Sequence, residues 1–168
     1  MEESSTDHLP SIVTHAEPIS QKLREIAEGV RPVVMLLADA GYQSYGALIE
    51  TSDKLAREKP DLVQRFIDAS IEGWYSYLYG DPTPGNALIK RDNPEMTDAL
   101  IAYGIDKMKK YGVVDSGDAK QNGIGAMNEA RWGEFFATMA KAGLYPADMD
   151  FHRAFTLQFI NKKVGMRP

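Results

Sequence analysis

Two tyrosines between two glycines form the run whose residue types most clearly suit ligand binding in this chain of 168 residues. The run is Gly41-Tyr42-Gln43-Ser44-Tyr45-Gly46. Glycine lets the backbone turn or approach a ligand closely, and tyrosine rings stack on planar groups while their hydroxyls form hydrogen bonds. The alternative is a surface turn whose tyrosines cover the neighbouring core. The run therefore predicts a loop that either faces a small ligand or covers the core.

Short apolar segments on both sides of this run predict the strands that would position it. Val33 to Leu37 is apolar without polar alternation, as expected for a strand covered on both faces. Ile12 to His15 and Ala47 to Thr51 are further strand candidates, and a helix is predicted from Pro18 to about Glu28. We therefore expect an α/β fold with a small, mostly parallel sheet covered by several helices.

The chain after residue 59 is predicted to be mainly helical. Pro60 and Asp61 are typical of a helix start, and apolar residues then follow the helical period as far as Leu78. The stretches 81–85 and 116–125 are predicted loops. One further helix is predicted to begin at Asn93 and to end at Gly112. Another is predicted to begin at Asn128 and to end just before Gly143.

Composition excludes several classes of function. A formal net charge of -5 disfavours a general nucleic-acid binder, because phosphate neutralisation needs a concentrated basic surface. The longest strongly apolar run, around residues 33–38, is much shorter than the ~20 residues of a membrane-spanning helix. The chain has no cysteine, which excludes disulfides and thiolate catalysis. Composition fits a soluble domain.

Catalytic and metal-binding patterns are weak. The three histidines, His8, His15 and His152, include no helical pair with metal-ligand spacing. No nucleophile-elbow motif is present, and the glycines of residues 117–125 match neither the Walker spacing nor the dinucleotide fingerprint. We therefore expect no catalytic residue, no metal site, no cofactor and no enzymatic activity.

A series of segments, taken in order, carries a family resemblance. They are Thr14 to Pro18, Gly41 to Gly46, Lys59 to Phe66, Gly73-Trp74, Asn93 to Met96, Gly123 to Met127 and Ala130 to Trp132. Their order and spacing resemble the extracytoplasmic solute-binding proteins of ABC transporters, in the branch that handles nitrate, sulfonates, taurine and the thiamine pyrimidine precursor. The resemblance covers nearly the whole chain after residue 12.

The resemblance implies a fold and a set of partners. It is to the C-terminal part of a type II periplasmic binding protein, so it implies a partial lobe over residues 12–168, with the N-terminal portion missing. The implied ligand is a small organic molecule, such as a sulfonate, a nitrate-like anion or a pyrimidine precursor, held in an interlobe cleft. The implied partner of the complete protein is an ABC transporter permease.

The candidate ligand-binding residues combine the glycine and tyrosine run with one acidic residue. Glu17 precedes Pro18 at a predicted strand-to-helix junction, which is where open α/β sheets hold ligands. In the resembling family this segment borders the cleft. The alternative is a carboxylate that satisfies backbone donors at a helix start. The predicted set is Glu17, Gly41, Tyr42, Ser44 and Tyr45.

Location and assembly follow from the same resemblance. Residues 1–11 are a polar leader, expected to be flexible, that lacks the basic and apolar regions of a secretory signal. The chain as written would stay in the cytoplasm, whereas the complete family protein is periplasmic or extracytoplasmic. An incomplete lobe would expose apolar surface, so we expect a homodimer or pairing with a chain that carries the missing lobe.

Two other functions remain open from the sequence. The first is a helical protein-interaction domain derived from the same fold. The second is a relative of the pyrimidine-precursor synthases, which would need a reactive histidine and a cysteine-rich iron site. The lack of cysteine disfavours that enzyme.

Overall fold

The computed structural model describes Tyr42 and residues 44–166. The chain divides into two compact units, Met1–Leu48 and Ile49–Pro168. Six α-helices and a 3₁₀ helix follow one another in the described part of the second unit. They are α1 (Asp53–Glu58), α2 (Pro60–Tyr79), α3 (Thr83–Asp92), α4 (Asp98–Tyr111), α5 (Ala119–Asn122), α6 (Glu129–Lys141) and the 3₁₀ helix Phe151–Ala154.

The expected α/β fold with a small parallel sheet is wrong. Tyr42 and residues 44–166 contain no strand, and helices make up 57% of them. The strand candidate Ala47 to Thr51 is irregular and exposed. A short apolar run does not by itself distinguish a strand from other backbone structure, which is why this segment was misassigned. The candidates at 12–15 and 33–37, and the predicted helix from Pro18, lie outside the described residues.

Local signals set several helix boundaries as predicted. Pro60 occupies the first turn of α2. Asn128 caps α6, where its side-chain oxygen accepts a hydrogen bond from the Arg131 backbone N–H at 2.7 Å. Gly112 ends α4 with a φ of 58°, in the left-handed region that glycine adopts without strain.

Other boundaries differ from the prediction. The predicted loop 81–85 contains the start of α3, because Pro84 is compatible with a first helical turn. α4 begins at Asp98 rather than near Asn93, since the Thr97 hydroxyl accepts a hydrogen bond from the Leu100 backbone N–H at 3.2 Å. The predicted loop 116–125 contains the four-residue helix α5.

A small core lies along one side of α2. Val63, Ile71 and Leu78 of α2 are buried, and they follow one face of the helix. The other buried apolar residues come from α4, α5, the loop after α5 and the chain end: Ile101, Ala119, Ile124, Ala126 and Phe159. Burial of these side chains holds α2, α4 and α5 together.

The segment 155–166, which we call the C-terminal strap, contacts α2 and the loop after α5. The Gln64 side chain donates a hydrogen bond to the Phe159 carbonyl at 3.0 Å. Asn161 bonds the Met127 backbone twice, accepting from its N–H at 3.2 Å and donating to its carbonyl at 2.8 Å. The strap thereby fixes the loop beside α2.

No helix in the described part of the chain has both the length and the apolar character to cross a membrane.

Candidate functional site

The glycine and tyrosine run is only partly described. Tyr42, Ser44 and Tyr45 are all half-buried, and the Ser44 hydroxyl donates a hydrogen bond to the Tyr45 carbonyl at 3.1 Å. This hydrogen bond is local, because it joins neighbouring residues. Glu17 and Gly41 lie outside the described residues. The structure therefore shows three members of the predicted site in a short stretch, and the site itself stays a prediction.

The Tyr42 and Tyr45 side chains have a degree of burial that is compatible with binding. Both residues are half-buried, so part of the surface of each is in contact with solvent. From Gly46 to Glu50 the chain is exposed and irregular. The described end of the predicted loop is therefore accessible to a small molecule.

A charged cluster that the sequence did not reveal lies at the start of α6. The His152 ring places Nε2 3.0 Å from Glu129 Oε1 and Nδ1 3.0 Å from Asp150 Oδ1. Asp150 and His152 are two residues apart, and the Asp150 carboxylate also accepts a hydrogen bond from the His152 backbone N–H at 3.2 Å. That spacing was a possible signal for part of the cluster. Glu129 is 23 residues away in sequence, so no local pattern indicates it.

The two carboxylates change the protonation of this cluster. Hydrogen bonds to Glu129 and then to Asp150 raise the pKa of His152 above 6.5, since the imidazolium can donate from both ring nitrogens. The hydrogen bond from the His152 side chain lowers the pKa of Asp150. The ring is therefore biased toward a cation held between two anions, which is poorly suited to remove a proton from a substrate.

Aromatic rings position this cluster. Phe151 stacks on the His152 ring at 4.1 Å and on Phe136 of α6 at 5.4 Å between centroids. Trp132 and Phe155 stack in parallel at 5.0 Å. Trp132 and Phe136 are four residues apart, so they share one face of α6. The aromatic face of α6 is thus a packing surface for the 3₁₀ helix.

The described residues contain no group of three or more His, Cys, Asp or Glu side chains arranged to hold a metal ion. The Glu129, His152 and Asp150 cluster is instead a surface clip, since side-chain exposures of 55% to 63% leave its charges in contact with water. It joins the 3₁₀ helix to α6. The cluster has a structural role, so the glycine and tyrosine run remains the candidate ligand site.

Comparison with known proteins gives one match. Residues 3–84 match the family model described as NMT1/THI5 like, whose members include binding proteins for nitrate, sulfonates, taurine and the thiamine precursor. This finding confirms the resemblance over residues 3–84, and it supports solute binding or a related function in general. No curated protein matches the chain, and no solved structure matches it either.

Proposed function

We propose, on the match of residues 3–84 to the NMT1/THI5-like family model, that the chain binds a small organic solute as a solute-binding component of an ABC importer. The ligand class is a sulfonate, a nitrate-like anion or an amino-substituted pyrimidine precursor. Its function is capture without chemical conversion. The site of action of such a component is outside the cytoplasmic membrane.

The family match carries this proposal, because it spans every residue of the candidate site. Glu17 and the run Gly41 to Gly46 both lie within residues 3–84. Within that run, Tyr42 and Tyr45 combine partial burial with ring surfaces and hydroxyls that suit a small planar or anionic ligand. Stacking and hydrogen bonding by these two tyrosines are the proposed sources of affinity.

Isothermal titration calorimetry with taurine, nitrate and the thiamine pyrimidine precursor tests the proposal. One of these solutes should bind, and Tyr42→Ala or Tyr45→Ala should each weaken that binding by roughly 1 to 3 kcal/mol. Tyr111→Ala is the matched control, because Tyr111 is an exposed tyrosine on α4. Heat signals for all three solutes that equal those of buffer injections would reject the proposed ligand classes.

The Glu17 carboxylate separates the ligand classes. An amino-substituted ring should lose a hydrogen-bond acceptor in Glu17→Gln and bind more weakly. An anion should bind equally well or more tightly, because the substitution removes a negative charge from its site. The sign of the change in affinity therefore identifies the class of solute, and an unchanged affinity for a pyrimidine would remove Glu17 from the site.

A helical protein-interaction domain is the second candidate. Its support is that the described part of the chain has helices and no strand, and that several large apolar side chains are exposed on it. This function needs no small molecule. It would be favoured if none of the three solutes bound while the folded protein still associated through an apolar helix surface.

A further inference from the structure

Helix α2 has apolar residues on two sides. One side packs in the core through Val63, Ile71 and Leu78. The other side consists of Leu62, Phe66, Ala69 and Gly73, which we call the outer stripe. At 3.6 residues per turn these four residues fall within about 60° of one another around the helix axis. All four are exposed, with Phe66 at 61% and Leu62 at 44%.

Gly73 is an independent indication that something approaches this side of the helix. Glycine weakens a helix interior relative to alanine, and Gly73 lies well inside α2. A Cβ atom placed on Gly73 would meet nothing within 4 Å, so packing within the chain does not require a glycine here. Glycine at a helix surface permits the close approach of another group. The space beside Gly73 is thus available to an incoming side chain.

The outer stripe is complementary to itself when two copies run in opposite directions. Its large residues, Leu62 and Phe66, occupy the N-terminal half, and its small residues, Ala69 and Gly73, occupy the C-terminal half. A two-fold axis between residues 69 and 70 places Phe66 of one copy opposite Gly73 of the other. A parallel pair would instead set Phe66 against Phe66 and leave a gap at Gly73.

Charges at the edge of the stripe favour the same arrangement. Arg65 and Glu72 are exposed and seven residues apart, so they lie along one flank of the outer stripe. In the antiparallel pair, the Arg65 side chain of each copy comes within about one helical turn of Glu72 of the other. Two such pairs of opposite charge would form across the two-fold axis.

We propose that the outer stripe of α2 is a self-association surface, through which two copies of this chain form an antiparallel homodimer. Phe66 of each copy fills the space beside Gly73 of the other. The Arg65 and Glu72 side chains then set the direction and the register of the two helices. The association uses no residue of the candidate ligand site.

Cysteine cross-linking tests the geometry of the antiparallel pair. Only introduced cysteines can form a disulfide, because the chain has no cysteine of its own. Ala69→Cys lies beside the two-fold axis, so mild oxidation should link two copies covalently. Leu62→Cys should not link to itself, since its two copies lie about 22 Å apart along the helices. A disulfide needs Cα atoms about 6 Å apart. Leu144→Cys, at an exposed residue outside the outer stripe, measures linkage by random collision.

The rates of linkage decide between the arrangements. Rapid linkage of Ala69→Cys alone supports the antiparallel dimer. Equal linkage of the Ala69→Cys and Leu62→Cys variants would indicate a parallel pair and overturn the proposal. Linkage of the Ala69→Cys variant at the rate of the Leu144→Cys variant would also overturn it, because both would then report collision.

Sedimentation over a concentration series measures the dimer itself. Phe66→Ala should raise the dimer dissociation constant on the order of 100-fold, because each dimer loses two aromatic contacts. Gly73→Leu should weaken association by filling the space that receives Phe66, while circular dichroism shows unchanged helix content. Leu144→Ala is the control and should leave the dissociation constant unchanged. A wild-type chain that stays monomeric up to about 1 mM would overturn the proposal.

A charge reversal gives a separate test of register. Arg65→Glu and Glu72→Arg should each weaken the dimer, because like charges then meet across the interface. The double variant should recover at least part of the lost affinity. If the losses of dimer affinity in the two single variants simply add in the double variant, the proposed pairing of these residues is contradicted.

Discussion

At the scale of single residues, His152 is the side chain whose environment most clearly sets its chemistry. Its ring is held between Glu129 and Asp150, and each contact measures 3.0 Å. The raised pKa means that the folded state favours the imidazolium more than the unfolded state does. This preference stabilises the fold at pH values below about 6.5, and the stabilisation is lost as the pH rises through the raised pKa.

We predict that His152→Gln lowers the melting temperature more at about pH 5.5 than at about pH 8.5. The reason is that only the protonated ring donates to both carboxylates. Melting curves of wild type and variant, recorded side by side across this range, measure the difference. The other two histidines, His8 and His15, are present in both proteins, so their titration cancels.

Glu129→Gln provides the control, because it removes the carboxylate whose hydrogen bond contributes most to the raised pKa of His152. Its melting temperature should depend on pH less steeply than that of wild type in the same range. A His152→Gln deficit that is constant from pH 5.5 to about pH 8.5 would show that the ring contributes through packing on Phe151 rather than through charge.

At the scale of elements, capping side chains decide where the helices begin. Asn93 and Thr97 are both good capping residues in sequence, and they lie four residues apart. In the structure Thr97 caps α4, whereas the Asn93 carboxamide accepts a hydrogen bond from the Glu95 N–H at 3.2 Å within a separate turn. The two residues therefore support different structures, although sequence reasoning gave the helix start to Asn93.

We predict that Thr97→Ala lowers the free energy of unfolding by about 1 kcal/mol through loss of the α4 cap. Thr97→Ser keeps the hydroxyl and should retain most of the stability. Asn93→Ala should cost less than Thr97→Ala, because the turn that it supports is exposed. Urea denaturation of the three variants ranks these effects. A larger loss for Asn93→Ala than for Thr97→Ala would mean that the helix begins near residue 93 in solution.

At the scale of the whole molecule, the core of the described helices is small, and it draws on segments far apart in sequence. Leu78 of α2 is 2% exposed, and Phe159 of the C-terminal strap is 4% exposed. The helices around them also carry large exposed apolar residues. Small cores leave a small margin of stability, so the loss of one central side chain should affect the whole assembly of helices.

We predict that Leu78→Ala lowers the free energy of unfolding by about 2 to 5 kcal/mol, as expected for a buried leucine that leaves a cavity. Leu88→Ala is the matched control, because Leu88 is 52% exposed on α3, and its effect should stay within about 0.5 kcal/mol. Tryptophan fluorescence reports Trp74 and Trp132, and circular dichroism reports helix content. Both signals should shift together in Leu78→Ala, since the core that contains Leu78 also includes residues of α4, α5 and the C-terminal strap.

The sequence alone determined the features that depend on neighbouring residues, and it indicated the family resemblance. The start of α2 at Pro60, the end of α4 at Gly112 and the cap of α6 at Asn128 follow from local backbone chemistry, and the structure confirms each of them. The order of segments along the chain also predicted the resemblance that the family model matches over residues 3–84. The candidate site, with Tyr42 and Tyr45 at its centre, also comes from sequence and awaits the binding experiments.

Only the tertiary structure decided which apolar and charged side chains come together. Phe66 follows the helical period as well as Val63 does, yet Phe66 is 61% exposed and Val63 is buried, because the core of the described residues lies on the side of α2 that carries Val63. Glu129 reaches His152 because the chain folds back between α6 and the 3₁₀ helix. The strand expected at residues 47–51 is absent for a related reason: a short apolar run does not specify which partners will surround it.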